Sequence, residues 1–222
     1  MAAALSAFEP VDGLDGVYTA EKGALRCTAI VLRDGDVCLF SPVQGLGDAA
    51  LDSLSTIGRV TYLLAPNHYH NKGLAEHADA FPDAILCAPV AAAPRLRKVT
   101  GLEPNGLDGL KKRLRRNMKL IDTDGLKTGE IWLRATGRGR TAWFVVDAFS
   151  GPKAGRSGGA ANRPEMLKTF PNFGVADRNV YAAWVTAQIE QDRPDTMVPC
   201  HGAIVRAPDL PEKLAALVAA KL

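Results

Sequence analysis

The feature that most constrains this chain is a change of pattern between positions 60 and 81. Val60–Leu64 (VTYLL) is a continuous apolar run of strand length. It passes into the polar stretch Ala65-Pro66-Asn67-His68-Tyr69-His70-Asn71-Lys72-Gly73, and Leu74–Phe81 then reads as a helix. A strand that hands over to a helix through a polar loop presents that loop at a sheet edge, where functional residues collect. His68 and His70, two apart, fall on one side of an extended loop, and two imidazoles on one side can both face zinc or iron. The same loop also reads as a polar connection with incidental histidines, and the local sequence leaves both readings open.

The surrounding pattern mixes α and β. Ala24–Leu32 and Val37–Phe40 are strand-like and separated by Arg33-Asp34-Gly35-Asp36, a hairpin signal. Asp48–Ile57 has helical spacing. Further on, Ala84–Cys87 reads as a strand, Leu107–Arg116 as a basic helix and Met118–Ile121 as a strand. Glu130–Ala135 and Thr141–Val146 are strands separated by the turn Gly137-Arg138-Gly139. A long Gly-rich loop follows Asp147, then a helix over Arg178–Gln191 and a short strand ending at Met197–Val198. Asp209-Leu210-Pro211-Glu212 opens a last helix, with Asp209 placed to cap it and Glu212 spaced for a capping box. With 222 residues, 47% of them hydrophobic, the chain suits one domain over 1–222 with a sizeable core.

Two further residues stand at strand ends as the His68–His70 loop does. Asp147 closes Trp143-Phe144-Val145-Val146, and His201 lies in Val198-Pro199-Cys200-His201-Gly202. An aspartate at a strand end is equally a turn-capping carboxylate. His77, within the helix, reads as a packing or surface histidine. The four cysteines form no CxxC pair and read as buried reduced thiols. Cys200 beside His201 is no thiol nucleophile pair, since neighbours in an extended chain point to opposite faces.

The order strand–HxH–helix, strand–Asp, strand–x-x-His-Gly resembles the metallo-β-lactamase fold, whose usual signature is H-x-H-x-D-H, a later histidine, a bridging aspartate and a last histidine. His68 and His70 match the first two histidines, Asp147 the bridging aspartate, and His201 with Gly202 the last histidine. The resemblance spans roughly Val17 to Leu222, and Ala75–Pro89 resembles the segment after the motif in an uncharacterised branch of that superfamily with a degenerate motif. It implies an α/β fold, a four-layer αββα sandwich.

The departures are as informative. Lys72 and Gly73 stand where the pattern has Asp-His, and the Gly137-Arg138-Gly139-Arg140 turn stands where it has the later histidine. The resemblance therefore implies at most one metal ion, zinc or iron, held by His68, His70, Asp147 and His201, with Asp147 as ligand or catalytic base. It implies hydrolysis of an ester, amide or phosphodiester by a metal-bound water. Lys72, Arg138 and Arg140 would face an anionic substrate at the site mouth, or a guanidinium would fill the vacated metal position by pairing with Asp147. The alternative is a non-catalytic relative with no metal, in which the histidines hydrogen-bond one another or Asp147 and the cleft binds a ligand or protein partner.

Charge narrows the partners. The formal net charge is +3, and the excess sits between Arg95 and Lys119, where Lys111, Lys112, Arg113, Arg115 and Arg116 cluster without interleaved aromatics. A solvated helix face is the expected role and a phosphate- or nucleic-acid-facing patch the alternative; the missing aromatics count against single-strand stacking, so nucleic acid is not the expected partner. The N-terminus lacks a secretory pattern, and no apolar run approaches the ~20 residues that cross a bilayer. A cytoplasmic protein with a small-molecule substrate and no membrane partner is the expectation, and a homodimer is compatible with it.

Overall fold

The computed structural model describes residues 4–153 and 160–222. Two sheets carry the architecture. The first has the order β1 (Glu9–Pro10), β2 (Val17–Lys22), β3 (Leu25–Val31), β4 (Val37–Phe40), β5 (Val60–Leu64) and β6 (Ile85–Cys87); the second runs β11 (Val205–Arg206), β10 (Thr196–Pro199), β9 (Arg140–Val145), β8 (Ile131–Gly137) and β7 (Met118–Asp122). The helices are α1 (Asp48–Ile57), α2 (Leu74–Ala80), α3 (Ala93–Thr100), α4 (Asp108–Arg113), α5 (Phe170–Phe173), α6 (Arg178–Asp192) and α7 (Leu210–Lys221).

The two-residue period of each strand builds the layers, because successive side chains face opposite sides of a sheet. Ile30, Phe40, Tyr62 and Leu64 of the first sheet meet Ile131, Leu133, Phe144 and Val198 of the second in a central core. Their strand neighbours face outward. Ala29, Leu39 and Leu63 pack against Leu54 of α1, Leu74 of α2 and Leu96 of α3. Trp132, Trp143 and Val145 pack against Phe170 of α5, Tyr181 and Val185 of α6 and Leu214 of α7. Helix, sheet, sheet, helix: the four-layer αββα sandwich expected from the sequence is the observed fold.

Local departures have local causes. The Arg138-Gly139 turn joins β8 to β9 with both residues at positive φ, 46° and 77°, the geometry a two-residue hairpin requires. Asp209 makes no side-chain cap to α7, correcting the expected capping box. Its carboxylate pairs with Lys213 at 2.8 Å, while Glu212 accepts from Arg193 at 2.7 Å. α3 was not expected from the sequence; it begins with Pro94 in its first turn and buries only Leu96. All four cysteines are buried and free. Part of the Gly-rich loop after Asp147, residues 154–159, lies outside the described residues. Among the described residues, no helix is long and apolar enough to cross a membrane.

Candidate metal centre

Strand direction assembles the site. β9 and β10 are parallel with Val145 opposite Pro199, so they leave the sheet side by side; Asp147 follows one by two residues and His201 follows the other by two. In the first sheet β4 and β5 are parallel with Phe40 opposite Leu64, so Ser41 and the loop from Ala65 to Gly73 emerge together. Four carboxyl-terminal strand ends thus meet at one edge of the sandwich.

The turn holding His201 is fixed from below. Buried Arg26 donates through one nitrogen to Pro199 O at 2.6 Å and Gly202 O at 2.8 Å, and its guanidinium also pairs with Glu21. Arg26 N donates to Cys200 O at 2.9 Å, and Gly202 N to Ala24 O at 2.8 Å. Gly202 has φ 85°, and a Cβ there would stand 2.1 Å from Gly151 O, so a side chain would displace the turn.

His70 Nε2 lies 3.4 Å and His201 Nε2 3.1 Å from the same atom, Asp147 Oδ1. Ligand atoms of these three residues all fall within 4.8 Å of one another. Tetrahedral zinc with bonds of about 2.0–2.2 Å sets its ligand atoms about 3.3–3.6 Å apart, so both histidine–Asp147 separations suit one shared cation, with the three donors drawing together around it. On the far side of its ring, His70 Nδ1 lies 2.7 Å from Ser41 Oγ, which can accept its proton and leave Nε2 free to ligate. Ser41 is itself at φ 57°, an unfavourable conformation for a non-glycine residue, held at the site by its surroundings.

Asp147 is oriented by residues that sequence reasoning did not single out. Asn67 is fully buried; its amide donates to Asp147 Oδ2 at 2.7 Å and to Glu130 at 3.4 Å, while its Oδ1 accepts from Tyr69 N at 2.8 Å and His70 N at 3.1 Å. One side chain therefore shapes the histidine loop and sets the carboxylate. Glu130, just before β8, is buried and accepts from the backbone N–H groups of Val146, Asp147 and Ala148 and from Trp132 Nε1. A glutamate ahead of an apolar strand carries no sequence signal of that role.

These surroundings separate the two carboxyls. Burial raises Asp147, but hydrogen bonds from His201 and His70 outweigh it and hold the group well below the usual carboxylate range. Burial, followed by the charge of Asp147, pushes Glu130 up to about 7, against the opposing effect of its donors. Burial also lowers His70, so its neutral, ligating form prevails at neutral pH.

The other expected site residues are placed differently. His68 does not join the three-residue cluster; its Nε2 is buried without a hydrogen-bond partner and its ring packs edge-on against Tyr69. Arg138 and Arg140 are corrected outright. They lie at the hairpin end of β9, seven or more residues before Asp147, which at about 3.3 Å per residue is roughly 23 Å away. There Arg138 pairs with Asp15 at 3.0 Å and Arg140 with Asp195 at 3.4 Å, so neither faces the cleft nor fills a metal position. Lys72 does line the cleft, a space of about 410 Å³ that also exposes Lys22, Tyr69, His70, Asp147 and His201. At Gly73 a Cβ would stand 2.4 Å from Pro42 O and 2.8 Å from Gln44 N, so the backbone after β4 occupies the space a ligand side chain would need.

Cys200 is buried and its thiol is pushed far up by burial, which leaves no nucleophile beside His201. His77 is a buried packing histidine whose Nδ1 meets Gly73 O at 2.9 Å. Much of the basic segment is compensated: Arg113 pairs with Asp34 and Asp36, Lys111 with Asp122, and Arg97 with Glu103.

Solved structures decide the fold. A metallo-β-lactamase from Hirschia baltica superposes with a TM-score of 0.64 over 97% of this chain and 98% of its own, at 10% identity. The chain has the metallo-β-lactamase fold. A metallo-β-lactamase from Pseudomonas aeruginosa in a mono-zinc form gives 0.62 at 13% identity, over 98% of this chain and 96% of that one. A fragment of a putative diflavin flavoprotein from Nostoc gives 0.64 at 12% identity, over 99% and 97%. No protein-family model matches the sequence, and no curated protein matches it.

Proposed function

We propose that this metallo-β-lactamase-fold protein is a metallo-hydrolase with one divalent cation, held by His70 Nε2, Asp147 Oδ1 and His201 Nε2. The observation that carries the reading is the convergence of these three donors at the cleft. Two imidazoles and a carboxylate suit zinc or iron. A mono-zinc form of the same fold is known from Pseudomonas aeruginosa. The closed space at Gly73 and the ammonium of Lys72 argue against a second cation.

A cation with an open position would supply a Lewis acid and an acidified water for attack on an ester, amide or phosphodiester. The chain's own residues do the rest. Ser41 fixes the ring of His70, Asn67 and Glu130 fix Asp147, and Arg26 fixes the turn of His201. Asp147 serves as a ligand in this reading, because its Oδ1 is the atom on which both histidine Nε2 atoms converge while Asn67 holds its Oδ2.

A second reading has its own observation: both histidines already reach Asp147 Oδ1 at hydrogen-bonding separation, the arrangement of a self-satisfied, non-catalytic cleft. Chelator-treated protein assayed on 4-nitrophenyl acetate and bis(4-nitrophenyl) phosphate separates them. Hydrolysis of either restored by added zinc or iron, and absent from His201→Ala, is the expected result. A metal-loaded protein inert to both favours the non-catalytic cleft, and activity indifferent to chelation overturns the metal-dependent reading.

A further inference from the structure

We infer that the cleft takes a small organic anion, a compound whose hydrolysable group is joined to a carboxylate or phosphate bound between Lys72 and Lys22. This rests on the hydrolase reading only for the word hydrolysable; the anion site stands on the cleft's own charges.

The acidic residue that lines the cleft, Asp147, and nearby Glu76 are already committed. Asp147 gives Oδ1 to the two histidines and Oδ2 to Asn67, and the carboxylate of Glu76 accepts from Gly45 N at 2.6 Å and Leu46 N at 3.0 Å. The lysines that form ion pairs among the described residues are Lys111 and Lys213. Lys22 Nζ donates to a neutral carbonyl, Gln44 O, at 2.9 Å, and Lys72 is exposed at the cleft wall. Two ammonium groups therefore line one concavity with neither in an ion pair among the described residues, its carboxylate Asp147 being engaged by the histidines and Asn67, and an anion entering between them gains from both.

The rest of the wall sets the remainder of the ligand. Leu25, Pro42, Val43 and Tyr69 face the same space, with Leu25 40% and Tyr69 38% exposed. Apolar walls with a few converging polar groups suit an organic body with one charged end, and about 410 Å³ admits a small molecule rather than a polymer.

The test is calorimetric titration of chelator-treated full-length protein, at low ionic strength, with succinate, inorganic phosphate and the neutral analogue succinamide. The expected result is binding of at least one anion and not of succinamide. Lys72→Gln should weaken it by about tenfold or more, Lys72→Gln with Lys22→Gln should abolish it, and Lys119→Gln, at an exposed position of β7, should leave it unchanged. The preferred anion then distinguishes a carboxylate from a phosphate ligand. Binding of neither anion, or equal affinity in the parent and the double variant, overturns the inference. Because the protein is metal-free in this experiment, failure of the hydrolase reading would leave a positive result standing, and a metal-loaded active enzyme would not rescue a negative one.

Discussion

At one end of β9, Asp147 is buried among two imidazoles, an amide and a second carboxyl group; at the other, Arg140 lies partly exposed against Asp195, with Asp12 at 3.9 Å. Both ends carry charge within one short stretch of sequence. Only the buried end places several polar groups in competition for one small volume, where orientation and protonation are fixed together. The exposed end is an ion-pair cluster of the kind that contributes little. What distinguishes a site from a charged turn here is the convergence of strand ends, not the density of charged residues.

The largest effect expected from this contrast is at Glu130. Glu130→Ala leaves three backbone N–H groups and an indole buried without this acceptor, and should lower stability by about 3 kcal/mol or more in urea denaturation. A loss under about 1 kcal/mol would show that the strand end holds itself.

The conservative variant sharpens the point through pH. Glu130 is pushed up to about 7 in the fold, whereas an exposed glutamate titrates near about 4.3. A carboxyl raised on folding contributes stability that is fully present below about 4.3 and lost as pH rises through about 7. His70 and His77, lowered by burial, act oppositely, losing stability as pH falls below about 6.5, but they are common to both proteins. The difference in stability between parent and Glu130→Gln should therefore fall by up to about 3 kcal/mol from pH 4.5 to 7.5. A flat difference would mean that Glu130 keeps its ordinary acidity.

The smallest effect belongs to the other end of the strand. Arg138→Ala with Arg140→Ala should cost about 1 kcal/mol or less and leave zinc affinity unchanged. A change in zinc affinity would couple the hairpin to the site and dissolve the contrast.

The elements were legible wherever periodicity was strong. α1 and β5 span the residues their patterns indicate, and β4 and the β8–β9 hairpin follow their turn chemistry. α3 was not legible, because a short basic helix that buries one leucine leaves little apolar period. Within the site, the histidines and Asp147 were visible as candidate chemistry at strand ends. Ser41, Asn67 and Glu130 were not, since their importance lies in what they touch 29, 80 and 17 positions away. Arg138 and Arg140 stand in order where the pattern has its later histidine, but order alone does not bring them to the site, because β9 carries its two ends apart at about 3.3 Å per residue.

The central claim is one cation position made by His70, Asp147 and His201. Calorimetric titration of chelator-treated protein with zinc tests it most directly, reading stoichiometry and affinity together in the parent, His201→Ala and Asp147→Asn. The account predicts one equivalent bound by the parent, with a matching rise in melting temperature, and none bound tightly by either variant. No zinc binding by the parent, two equivalents, or one equivalent retained in both variants would contradict it.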